Sequence, residues 1–439
     1  MLIERETTQA VLGLDWRRRA ASGWLWHVDA QLDVTRDDDD TDQRYDAAVG
    51  ASTSSFLLDR RDEPVHGRVG VRLMAADDRA WRPTFAAQLD VRQRDHAFAL
   101  QSLDANPLSI PIPSRVDDVD AREIRISAEA GLQRTVGARW RLEIGAAVEV
   151  ADQRVRAGGG DVRRDSDSTR LLPRAVVTFT PRADLQLRLD LRRARDPLAF
   201  DAVTNTYIAL NERLLVGNPD LRSAITDRAA LALTWQRDGG FLVDLDAYIE
   251  RRADAVEPSL VPSGIADDLA PGRVNADDDA NVRGVSGRLA LPLDRLVPGL
   301  ALDLAGRAVD SSVDDPLTGA RRRVDGHVRP TGSITLRHRI DAWNLSWGLI
   351  AASAREATRV YVDEIQTVTR GERWSAYVES ARVGPLTVRL TVDGLGGRQG
   401  DIQVERRRFT PDRRGAPLGV GRVGLDVGTT VSLAVALRR

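Results

Sequence analysis

From Trp24 to Val34 every second residue is apolar. Trp24, Trp26, Val28, Ala30, Leu32 and Val34 fall on one side of an extended chain, and His27, Asp29, Gln31 and Asp33 fall on the other. A period of two held this long requires a strand with one apolar and one polar face. The pattern returns in Trp81, Phe85, Ala87, Leu89, Val91 and in Trp140, Leu142, Ile144, Ala146, Val148, Val150. Further on it returns in Leu185, Leu187, Leu189, Leu191 and in Phe241, Val243, Leu245, Ala247, Ile249. Trp343, Leu345, Trp347, Leu349 and Leu386, Val388, Leu390, Val392 extend the series. No segment shows the i, i+3, i+4 recurrence of a helix.

Strand length then separates two kinds of alternating chain. Strands of soluble sandwiches average about 5–6 residues, whereas a strand crossing a bilayer at a tilt needs about 9–11. These segments run to about ten or more, with both Arg and Asp/Glu on the polar face and about ten residues free of charge on the apolar face. No run approaches 18 apolar residues, so a spanning helix is excluded while spanning strands are not. Short connections near 17–22, 76–80, 133–138, 181–184, 237–240, 292–298, 340–342 and 381–385 alternate with long ones. The long ones fall near 35–65, 93–120, 152–168, 195–223, 252–280, 310–327, 354–372 and 394–419. Trp16, Trp24, Trp26, Trp81, Trp140, Trp235 and Trp343 gather at the short connections, as an aromatic girdle at one membrane interface would. The expected fold is all-β, a transmembrane antiparallel up-and-down β-barrel with about 16–18 visible strands. Its expected location is the cell outer membrane, with the lipid bilayer and the barrel-assembly machinery as partners. On the strand around 228–236, Leu233 is assigned to lipid and Thr234 to the lumen.

The chemistry-bearing residues give little. There is no Cys, which excludes disulfides, thiolate metal sites and thiol catalysis. His27, His66, His96, His327 and His338 are scattered, with no metal-ligand spacing, and no Ser/His/Asp order or carboxylate pair stands out. The net charge of −2 gives no reason to expect a nucleic-acid partner, although all 63 basic residues are arginine. Asp37–Asp40 and Asp277–Asp279 sit in long connections and read as solvated charge rather than as a calcium loop, lacking alternating ligands around a turn glycine. Gly419-Val420-Gly421-Arg422-Val423-Gly424 matches a dinucleotide fingerprint in letters, but no helical pattern follows it, so it reads as loop and strand. The expectation is no catalytic, cofactor or metal residue, no enzyme activity and a substrate site left unassigned.

One short motif adds to the pattern. Gly217-Asn218-Pro219-Asp220-Leu221 follows a long connection and precedes the strand at 228–236, where Asn-Pro starts a turn. It resembles the Gly-Asn-Pro-x-Leu segment of TonB-dependent outer-membrane receptors. Asn281–Leu291 with Pro298-Gly299-Leu300, and Asp315-Pro316-Leu317-Thr318-Gly319, are similar to later parts of that family. Here Arg222 is followed by Ser223-Ala224 where the family has Pro and Glu, and the last residues are Leu437-Arg438-Arg439 where it has a terminal aromatic. The resemblance implies that 1–439 is barrel, part of a 22-stranded one truncated at its N-terminus and lacking the plug domain. It implies uptake of a scarce nutrient, an iron chelate, vitamin or glycan, with TonB coupling only if a plug domain is supplied. The alternatives are a plugless passive outer-membrane channel and a soluble all-β binding protein.

Overall fold

The structure, a computed structural model, describes residues 4–20, 23–41, 56–75, 81–102, 115–157, 162–203, 206–208, 213–262, 269–383, 385–395, 401–410, 413 and 415–437. Its first strands are β1 (Glu4–Arg19), β2 (Trp24–Thr41), β3 (Phe56–Ala75), β4 (Trp81–Ser102), β5 (Arg115–Val136), β6 (Trp140–Ala157), β7 (Val162–Arg182) and β8 (Leu185–Asp196). A helical turn, α1 (Phe200–Val203), and the short strands β9 (Thr206–Ile208) and β10 (Arg213–Leu215) come next. Then follow β11 (Ala224–Arg237), β12 (Phe241–Ala253), β13 (Val256–Pro262), β14 (Leu269–Asn275), β15 (Ala280–Pro292), β16 (Leu300–Asp314), β17 (Arg321–Arg322) and β18 (Thr331–Ile340). The last are β19 (Leu345–Ala352), β20 (Arg355–Val360), β21 (Glu364–Arg370), β22 (Arg373–Val383), β23 (Leu386–Asp393), β24 (Ile402–Arg408), β25 (Gly419–Leu425) and β26 (Thr430–Leu437).

The chain divides into two compact units. In the first, β1 pairs with β2, β2 with β3, β3 with β4 and β4 with β5, all antiparallel. In the second, antiparallel pairing runs β8–β11–β12–β15–β16–β18–β19–β22–β23–β26. Eighteen of the described strands are laddered in this up-and-down manner, the two-residue β17 among them. The expected count of about 16–18 therefore holds. No helix among the described residues is long and apolar enough to cross a membrane, which says nothing of a β-barrel.

The short connections lie where the sequence places them, apart from 76–80, which falls outside the described residues, as do 21–22 and 384 within theirs. The long ones need correction. Asp37–Asp40, expected in a loop, continue β2, with Asp40 opposite Glu4 on β1 and opposite Asp59 on β3. Their side chains lie outside the described residues, as do 42–55, 103–114 and 158–161. Similarly, β4 runs on to Ser102 and β5 starts at Arg115, inside the connection read at 93–120. Backbone pairing is satisfied equally well in water and in lipid, so a hairpin outlasts the alternation that lipid enforces on its side chains. Other long connections carry their own hairpins, β13–β14 and the four-stranded set β20–β21–β24–β25. Gly419–Gly424 lies within β25 as strand, not as the opening of a helix.

One turn is fixed by a glycine. Between β15 and β16, Gly299 has φ +79°, and a Cβ there would stand 2.0 Å from the Arg339 carbonyl oxygen. That carbonyl cannot retreat cheaply, because the Arg339 N–H donates to the Gly299 carbonyl at 2.9 Å. The non-glycine conformation alone costs about 1–3 kcal/mol. Gly299→Ala is expected to lower the yield of folded, heat-modifiable protein on gels, whereas Gly319→Ala, with open space around its Cβ position, costs less. Equal yields for the two variants would contradict this.

Candidate functional site

The two sheet faces are inverted relative to those of a soluble protein. Leu231, Leu245, Ile249, Val285, Ile334, Val378, Leu390, Val431, Leu433 and Val435 are all exposed large apolar residues. They share one face by register: Leu231 lies opposite Ala247, Ala247 opposite Val285, and Leu390 opposite both Val378 and Leu433. A contiguous apolar band of this extent is not stable against water and marks a surface made for another apolar medium. Leu233 lies on this band between Leu187 and Leu245, while Thr234 turns the other way and donates to Asp244 Oδ1 at 3.1 Å.

The opposite face is a ladder of charge pairs. Arg228 Nη1 donates to Glu250 Oε1 at 2.8 Å, and its guanidinium stacks over the Tyr248 ring at 4.2 Å. Asp303 receives Arg288 at 3.2 Å and Arg337 at 2.5 Å. In the first unit, Asp90 holds His66 and Arg125, and Arg92 meets Glu123 at 2.6 Å. Such pairing allows a face rich in both signs to pack at low cost. At the short turns Trp16, Trp26, Trp81, Trp140 and Trp343 are exposed. Trp235 donates its indole N–H to Asp184 at 3.1 Å and packs edge-on to Phe241. An apolar ring with a polar tip in this position suits a membrane interface.

Gly217–Leu221 forms a compact corner on α1. Asn218 Oδ1 accepts the Asp220 N–H at 3.0 Å, which is an Asx turn, and the Asn218 N–H donates to the Ala202 carbonyl at 3.0 Å. Leu221 is buried, as are Leu198, Ala202, Val203 and Val216. Asp277–Asp279 form the bend before β15, where Asp279 pairs with Arg251. Among the described residues no group of acidic or His side chains has the arrangement of a metal site.

The sequence did not reveal a buried ionic clasp in the second unit. Asp315 Oδ1 accepts the Leu317 and Thr318 N–H groups at 2.9 and 3.2 Å, and Gly319 closes the turn at φ +69°. Asp315 Oδ2 receives Arg322 Nε at 2.5 Å and pairs with Arg413 Nη2 at 2.9 Å. Arg322 Nη2 continues to Glu257 Oε2 at 2.7 Å, joining β13, β17 and Arg413. Burial pushes the Asp315 carboxyl up, but the Arg322 hydrogen bond and the charges of Arg322 and Arg413 outweigh it and hold the group below the usual range. Burial dominates at Glu257 and raises it. Burial also lowers Arg413.

Beside the clasp lies a cavity of about 570 Å³. Its floor is the polar face of β12, β15, β16, β18 and β22, with Tyr248, Val282, Arg307 and Arg373. Residues 324–329, Thr331, Gly332, Ala352, Ser353, Arg355, Arg370 and Gly371 wall it. The wall is tied down by backbone bonds: Gly326 N–H to the Thr358 carbonyl, Thr358 N–H to the His327 carbonyl and Arg329 N–H to the Glu356 carbonyl, all 3.0–3.1 Å. Asp325 Oδ1 accepts the Val360 N–H at 2.8 Å. Arg252, Arg329 and Arg373 each have an acidic partner, Glu250, Glu356 and Asp393.

Inverted faces, long laddered strands and polar-face charge pairs together match one architecture. The family model of the TonB-dependent receptor-like β-barrel matches residues 3–395. The chain belongs to the TonB-dependent receptor β-barrel family. Its fold is similar to that of the ferric yersiniabactin uptake receptor FyuA from Yersinia pestis, at 12% identity and a TM-score of 0.64. It is also similar to the ferric citrate transporter FecA in the unliganded form (10%, 0.68) and to the copper transporter OprC (12%, 0.68). In each case 99% of this chain is covered, against 61%, 62% and 66% of the respective structures. The chain thus spans under two thirds of the length of these receptors. No curated protein matches it in sequence. TonB-dependent receptor barrels are outer-membrane proteins, and the exposed apolar band of this chain is of the kind that meets lipid.

Proposed function

We propose that this chain is the barrel portion of a TonB-dependent outer-membrane receptor that takes up a scarce nutrient. The observation that carries this is the family match over 3–395 on a chain whose polar face carries a ladder of charge pairs and whose other face exposes large apolar residues. The barrel sits in the outer membrane, its long connections capture the substrate and its polar face lines the path inward. TonB coupling comes through a plug domain, which this reading requires of the whole receptor. The Gly217–Leu221 corner sets the exit of one long connection into β11. The chain has no catalytic role in this reading. The similar structures are named for iron chelates and copper, so those are the substrates to try first.

The test is uptake. Cells with the gene disrupted, starved in turn for iron chelates, copper, vitamins and glycans, are expected to lose import of one of them. In intact cells the same import is expected to stop when a protonophore collapses the energy supply. Import lost on disruption but indifferent to the protonophore would favour a passive channel, and no change for any nutrient would remove the uptake reading.

A further inference from the structure

The cavity beside the clasp carries a charge imbalance that its neighbours do not resolve. Six arginines line it, Arg252, Arg307, Arg329, Arg355, Arg370 and Arg373, against a single aspartate, Asp325. Three of the six are neutralised by the acidic partners described above. Arg307, Arg355 and Arg370 have no acidic partner among the described residues, whereas Arg252, Arg329 and Arg373 do. Asp325 is itself engaged, its Oδ1 taken by the Val360 N–H. Arg307 on β16, Arg355 on β20 and Arg370 on β21 are solvent-exposed, so three guanidinium forks stand open to whatever enters the cavity.

His327, 92% buried by its 8% exposure, lines the cavity with its Nε2 lacking any hydrogen-bond partner. Its Nδ1 lies 3.0 Å from Ser311 Oγ, and that oxygen already accepts the Val324 N–H at 3.2 Å. With the hydroxyl proton turned to Nδ1, the ring proton falls on Nε2, which is itself shut off from the open space of the cavity. Burial and Arg323 lower the His327 pKa, so at neutral pH the ring is an uncharged donor and the positive charge of the site is that of arginine.

We infer that this cavity binds an oligoanionic small molecule, one carrying two or three carboxylate or phosphate groups, held by Arg307, Arg355 and Arg370. Arginine forks recognise carboxylates and phosphates in the same bidentate manner. The volume admits a ligand of about drug size or a chelate of that class. This deepens the uptake reading, on which it rests, by naming the charge class of the substrate.

The experiment is calorimetric titration of the 439-residue chain in detergent micelles. Citrate serves as the carboxylate probe, pyrophosphate as the phosphate probe and glycerol as the uncharged blank. Binding of citrate, pyrophosphate or both is expected, identifying which anion the site prefers, with none for glycerol. Arg355→Gln/Arg370→Gln is expected to weaken it about tenfold or more. Arg355→Lys/Arg370→Lys should restore part of the loss, and Arg307→Gln on the floor should reproduce it. Arg422→Gln, on β25 and outside the cavity, should change nothing. Heat-modifiable gel mobility checks that each variant keeps its fold. No binding by the native chain, equal binding by the glutamine variants, or an equal loss in Arg422→Gln would overturn the inference. Anion binding in a chain that imports nothing would leave the cavity standing and refute the uptake reading instead.

Discussion

Leu231→Arg is expected to reduce folding stability in a bilayer by about 2–4 kcal/mol, the cost of an arginine near the midplane of a barrel's outer face. Leu231 is 52% exposed, lies opposite Leu189 on β8 and Ala247 on β12, and stands four residues from the interfacial Trp235. The acid on its face of β11, Asp227, stands four residues away and is already held by Arg193 at 2.6 Å. Thr234→Arg is expected to be tolerated, because Asp244 already lies 3.1 Å from the Thr234 hydroxyl on the polar face. Leu231→Phe separates lipid from a packed core, since lipid accepts a larger apolar group and a core resists it by about 1–3 kcal/mol. Urea unfolding in liposomes reads all three. A harmless Leu231→Arg, or a Leu231→Phe as damaging as the arginine change, would place this face against protein instead.

Asp315→Asn is expected to accelerate amide hydrogen exchange in Val313–Arg322 by about a hundredfold to several thousandfold. The substitution keeps the shape and an oxygen for the Leu317 and Thr318 N–H groups, but removes the charge that Arg322 and Arg413 share. Breaking one member of a buried ion network costs about 3–5 kcal/mol because it leaves the others buried and uncompensated. The loss stays local, as the long strands on either side do not depend on the clasp. Acid should mimic it in a definite window. The Asp315 carboxyl is held below its ordinary 3.8, so its stabilisation is complete above that value and lost as pH falls below it. Glu257 behaves oppositely: it is raised above its ordinary 4.5 and takes up its proton first on acidification, which relieves a buried charge. Exchange corrected for its intrinsic pH dependence should therefore slow as Glu257 takes up its proton and rise only below the Asp range. A clasp already open at pH 5 would assign the restraint to Glu257.

Different parts of this protein were legible in the sequence to different degrees. The faces of β2, β4, β6, β8, β12, β19 and β23 followed from alternation alone, because a strand has a period of two and only one face of it meets apolar surroundings. The short turns and their tryptophans followed for the same reason, since a fixed membrane thickness returns the chain at regular intervals. The extents of β2 and β4 beyond the apolar alternation did not follow: Asp37–Asp40 pair by backbone, and backbone pairing leaves no mark in side-chain pattern.

The clasp and the cavity were decided by tertiary structure. Glu257, Asp315, Arg322 and Arg413 come from four separate segments, and each reads by itself as one more solvated charge among 63 arginines and 65 acids. Arg307, Arg355 and Arg370 differ from the paired arginines only in what lies opposite them once β16, β20 and β21 are in place. Ion pairing depends on distances of a few ångströms between residues of any separation. The sequence by itself determined which face each strand presents; only the assembled strands and loops determined which charges are answered and which are left for a ligand.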